Sequence, residues 1–75
     1  MWYEGSIKVG NSIFHYWVKS YDEPSETYGM EGGHISKATL KRNGQIVYNY
    51  DRGLDIAPAD AETETALAIL MKDYN

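Results

Sequence analysis

An Asn43-Gly44 pair separates two alternating runs, Ile35 to Lys41 and Gln45 to Asp51, and constrains the fold more than any other feature of the chain. Both residues tolerate positive φ, which a two-residue type I′ turn requires, so the pair predicts a β-hairpin. Gly10-Asn11 is a second, weaker turn signal between runs over 2–9 and 12–21. Pairing across it sets Tyr3, Gly5, Ile7 and Val9 against Val18, Tyr16, Phe14 and Ser12 on one face. Trp2, Glu4, Ser6 and Lys8 share the other face with Lys19, Trp17, His15 and Ile13. One face is mainly apolar and the other mixed, as expected of a sheet covered on a single side.

A two-residue loop at Asn43-Gly44 predicts Leu40 opposite Val47 and Ala38 opposite Asn49 on the covered face. It leaves Thr39 beside Tyr48, Lys37 beside Tyr50 and Lys41 beside Ile46 on the open face, where Lys stems lie across Tyr rings. The period then changes. Thr63, Ala66, Leu67, Leu70, Met71 and Tyr74 fall at helical spacing and form one stripe. Pro58 suits the first helical turn, Asp60, Glu62 and Glu64 sit where the helix dipole favours negative charge, and Lys72 lies near the opposite end. The expected architecture is α+β: a four-stranded antiparallel sheet of two hairpins with one C-terminal helix packed on one face (ββββα). Its strands run over 2–9, 12–21, 35–42 and 45–52 and its helix over 59–74, in a single domain spanning 1–75. The connection over 22–33, rich in Gly and acidic residues, is longer than most loops in so small a fold.

Seven Lys and Arg against eleven Asp and Glu give a net charge of −4, which argues against general attraction to nucleic acid. Such a balance suits solubility, or contact with a basic surface on a partner. There is no Cys, which removes thiol nucleophiles, Cys-type zinc sites and redox switches. The start of the chain lacks the basic and apolar runs of a signal peptide, and no stretch has the length and apolarity of a membrane span. A cytoplasmic location is the expectation, with no membrane association.

The densest set of chemically capable side chains runs from Tyr48 to Asp55. In the structural reading, Asp51 bonds turn amides, Arg52 lies over Tyr50, and Gly53 adopts positive φ to turn the chain out of the sheet. In the functional reading, Lys37, Tyr48, Tyr50 and Arg52 form a guanidinium-and-aromatic contact patch, with Glu26, Tyr28 and Glu31 of the long loop beside it. The same aromatics could stack single-stranded nucleic acid, although the acidic balance opposes this. His15 and His34 lack metal-ligand spacing, and the loop acids lack the pattern of a calcium loop. No nucleophile elbow or phosphate-binding loop is present, so neither catalytic residues nor a cofactor are expected.

Three stretches carry a resemblance: Gly33 to Lys37 continued through Val47 to Ile56, Trp2-Tyr3-Glu4-Gly5, and Asp22-Glu23-Pro24-Ser25. Through them the chain resembles a small uncharacterised family of proteins from Gram-positive bacteria, their phages and mobile elements. The resemblance implies a setting and no activity. Small acidic proteins of that setting often bind and block a host protein. The leading expectation is therefore a non-enzymatic protein-binding module whose partner is another protein. A homodimer built through an exposed strand edge and aromatic face is the alternative, followed by single-strand binding.

Overall fold

A computed structural model of the chain describes residues 1–27 and 29–75. Among the described residues five strands follow one another: β1 (Trp2–Val9), β2 (Ser12–Ser20), β3 (Ile35–Arg42), β4 (Gln45–Asp51) and β5 (Leu54–Ile56). They form a single antiparallel sheet in sequence order, and α1 (Ala61–Tyr74) packs on one face. The expectation of four strands is corrected to five. β5 has only three residues, all exposed, so it shows no buried face and no alternation to read.

Both turns form for the reason their sequences suggest. Asn43 and Gly44 both have positive φ, 52° and 77°, as a type I′ turn demands. Gly10 takes φ 59° in the first turn, and β1 pairs with β2 in the register expected, from Val9 opposite Ser12 to Trp2 opposite Lys19.

The second hairpin departs from its expected register. Arg42 pairs with Gln45 and Lys41 with Ile46, but Leu40 then lies opposite Tyr48, with Val47 left as the extra residue of a β-bulge. Beyond the bulge Ala38 faces Tyr50, Thr39 faces Asn49 and Lys37 faces Asp51. One extra residue moves every later side chain of β4 to the opposite face, because side-chain direction alternates with period two. Tyr48 and Tyr50 consequently join the covered face, while Asn49 and Asp51 face outward. The bulged residue keeps a partner: Ala59 N donates to the Val47 carbonyl at 3.0 Å.

Phe14, Val18, Ala38 and Leu40 from the sheet meet Ala66 and Leu70 from α1, all fully buried. The helical stripe is the one read from the sequence, with Thr63 also buried and Leu67, Met71 and Tyr74 half-buried. Asp60 caps α1 by accepting from Thr63 N at 2.9 Å, so the helix begins after Asp60 and Pro58 precedes it. Among the described residues, no helix is long and apolar enough to cross a membrane.

Candidate anion-binding cleft

Lys19 of β2 and Lys37 of β3 stand directly opposite each other in an antiparallel pair, on the face away from α1. Two ammonium groups so placed repel, an arrangement that sheets generally avoid. Lys37 is in turn opposite Asp51, whose carboxylate lies 3.5 Å from Lys37 Nζ and 3.7 Å from Arg52 Nε. Three of the seven cationic side chains of an acidic protein thus converge at one end of the sheet.

The chain around them makes a concavity. The register shifts between Lys19 and Ser20, where Ser20 pairs with Ile35 and Ser36 becomes the extra residue. The Lys19 side chain beside the Tyr21 hydroxyl, with a smaller effect from Ser36, holds the phenol pKa below its ordinary value. Lys19 Nζ lies 5.4 Å from the Tyr21 ring centroid and 5.8 Å from that of Trp2. His34 also lines the concavity, and its Nδ1 donates to the Tyr21 carbonyl at 2.8 Å.

The loop after β2 folds over this end. Tyr21 N donates to His34 O at 3.1 Å, Ser25 N to Gly33 O at 3.0 Å, and Gly29 N to Ser25 O at 2.8 Å. A Cβ on Gly29 would overlap the carbonyl oxygens of Gly33 and Ser25, so only glycine permits this close approach. Met30 anchors the loop from below; it is buried in the core, where the Tyr48 hydroxyl contacts its sulfur at 3.9 Å. Asn75 Nδ2 donates to the Met30 carbonyl at 3.0 Å, while Oδ1 accepts from Ile35 N at 2.9 Å. The result is a cleft of about 500 Å³ lined by Lys19, Tyr21, His34, Ser36, Lys37 and Arg52, with Glu23 on its loop side. That volume lies within the range of small-ligand sites.

Arg52 reaches the cleft through a left-handed backbone at φ 55°. The sequence reading puts the turn-forming positive φ at Gly53, and the structure places it one residue earlier. Arg52 N donates to Ser36 O at 2.8 Å and Asp51 N to Gly53 O at 2.9 Å, which fixes that conformation. It also swings the guanidinium back toward Asp51, so the two neighbours approach each other, contrary to the strict alternation of an extended strand.

The candidate residues read from the sequence separate accordingly. Lys37 and Arg52 belong to the cleft. Tyr48, expected in water, is 3% exposed beneath the helix, and burial pushes its phenol up to about 12. Tyr50 is half-buried against the core. Tyr48, Tyr50 and Glu31 instead line a separate, mainly apolar groove of about 360 Å³ with Met30, Leu54, Leu67 and Met71. The expected aromatic-and-Arg patch is thus divided between two faces by the Val47 bulge. Glu26 is exposed on the loop, and Tyr28 lies outside the described residues. The sequence names His34 only as a histidine without metal-ligand spacing and does not connect it with Lys19, Tyr21 or Ser36, because only the β2–β3 pairing brings these residues to Lys37. Among the described residues, no group of His, Asp and Glu side chains is placed to hold a metal ion.

Fold and site together define a small α+β domain with a cationic cleft at one end of its open sheet face. The chain belongs to the family described as Domain of unknown function (DUF7678), whose family model matches residues 1–75. No curated protein and no solved structure matches it.

Proposed function

We propose that this is a non-enzymatic protein-binding module that holds an acidic segment of a partner in the Lys19–Lys37–Arg52 cleft. One observation carries the reading. Lys19, Lys37 and Arg52 gather at one end of the open face with a single carboxylate, Asp51, against Lys37 and Arg52, so the cluster keeps an excess of positive charge that an incoming anion can meet. The net charge of −4 would favour a basic partner at long range, but the local sign at the cleft is the opposite, and contact chemistry follows the local sign. The left-handed Arg52 adds to this, because backbone strain tends to persist where a side chain is held for use. In the setting implied by the family resemblance, a Gram-positive bacterium or its phage, the protein acts in the cytoplasm as an inhibitor that occupies a host protein.

A fluorescein-labelled glutamate-rich peptide, followed by anisotropy at low ionic strength, tests the reading. Binding should weaken as salt rises, and Lys19→Ala and Lys37→Ala should each reduce affinity about tenfold, the size of one charge-assisted contact. An unchanged affinity in both variants, with the far-ultraviolet circular dichroism spectrum intact, would remove the cleft from the function.

A further inference from the structure

The two edges of the sheet differ in a way that bears on assembly. β5 is short and irregular: its pairing with β4 breaks register between Asn49 and Tyr50, so it offers little template for another strand. β1 has eight residues, no Pro, and an unbroken register with β2. Met1 and Ser20 exchange hydrogen bonds in both directions, 2.8 Å from the Met1 amine and 2.9 Å to its carbonyl. By alternation Tyr3, Gly5, Ile7 and Val9 direct their peptide groups toward β2, whereas those of Trp2, Glu4, Ser6 and Lys8 point outward.

We infer that β1 pairs antiparallel with β1 of a second copy about a two-fold axis at Ser6, joining the two sheets into one. A two-fold axis perpendicular to a sheet keeps each face on its own side, so opposed residues must share parity. With Ser6 on the axis, every outward-directed residue from Glu4 to Lys8 meets another: Ser6 faces Ser6, and Glu4 of each copy faces Lys8 of the other. The two charges on the outer side of this strand are therefore complementary in one register, and the symmetry uses each pair twice. The neighbouring register, with Gly5 on the axis, brings the two Glu4 carboxylates diagonally together and is disfavoured. On the inner side the chosen register sets Tyr3, 38% exposed, against Val9 of the other copy, and Ile7 against its Gly5.

The helices permit this approach. α1 contacts β1, β2 and β3 about equally and so lies over β2. The two copies of β2 are then three strand spacings apart, about 14 Å. Packed helices need only about 8–10 Å, so they do not collide. The arrangement leaves the Lys19–Lys37–Arg52 cleft on the outward face and does not depend on its function.

Sedimentation velocity at low ionic strength tests the inference on the full chain and four variants. The wild type should show a reversible, concentration-dependent dimer below about 1 mM. Glu4→Lys and Lys8→Glu should each weaken it about tenfold, and the double exchange should restore it. Restoration separates the intermolecular pair from the contact Glu4 makes with His15 Nε2 at 2.7 Å within one copy, which the double exchange does not return. Ser6→Pro, which removes only an outward N–H from an edge strand, should yield a monomer with an unchanged circular dichroism spectrum. A wild type that stays monomeric at about 1 mM, or a double exchange no better than the singles, would overturn the pairing.

Discussion

The guanidinium of Arg42, at the end of β3, grips both carboxylate oxygens of Asp60, the residue that caps α1. Asp60 also accepts from the backbone N–H and the hydroxyl of Thr63, at 2.9 and 2.7 Å. A single carboxylate thus joins the hairpin turn to the start of the helix. The Arg42 contact, then the Thr63 hydrogen bonds, hold its pKa well below the usual carboxylate range. A group whose pKa is depressed by folding contributes stability above its unfolded value, about 3.9, and that stability drains away as pH falls through the folded value. Asp60→Asn should lower the melting temperature at pH 7 and flatten its decline below about pH 4. Thermal melts across the acid range read both effects, and a variant with the wild-type acid slope would show that Asp60 is not the linking group.

Tyr48 should behave as a core residue. Tyr48→Ala should cost about 3–5 kcal/mol in urea denaturation, as expected when a buried aromatic is removed. Tyr48→Phe should be nearly neutral, because among the described residues the hydroxyl makes only the long contact to Met30 sulfur. If the Ala variant were as stable as the wild type, the β-bulge at Val47 would be misplaced.

The Tyr16 and Tyr74 hydroxyls lie 2.8 Å apart. That hydrogen bond, with burial second, pushes the Tyr74 phenol up to about 12. A raised folded pKa means that stability is complete below the unfolded value, about 10, and is lost as pH climbs toward about 12. Alkaline unfolding followed by tyrosinate absorbance near that range should be less steep in Tyr74→Phe than in the wild type.

Arg52→Gly should separate stability from binding. Glycine accepts φ 55° without steric cost, so stability should rise by up to about 1 kcal/mol. Affinity for a glutamate-rich peptide should fall in the same variant. An unchanged affinity would mean that Arg52 plays no part in binding.

Short-range sequence signals suffice for the local elements. Asn43-Gly44 and Gly10-Asn11 specified their turns because few residues accept positive φ, and the stripe from Thr63 to Tyr74 specified the helix and its buried face. The faces of β1 and β2 were legible from alternation because no bulge interrupts that pair. Tertiary structure decided what lies beyond the Val47 bulge, where one unpaired residue turned Tyr48 and Tyr50 inward and Asp51 outward. It also made a strand of Leu54–Ile56, which has no periodicity of its own and exists by pairing with β4. The cleft was hidden for a related reason: Lys19 and Lys37 are distant in sequence and become neighbours only when β2 and β3 pair across the long loop. Local propensity sets turns and periodic faces, but a register shift or a cross-strand pair depends on which distant segments share a core, and no window of sequence contains that choice.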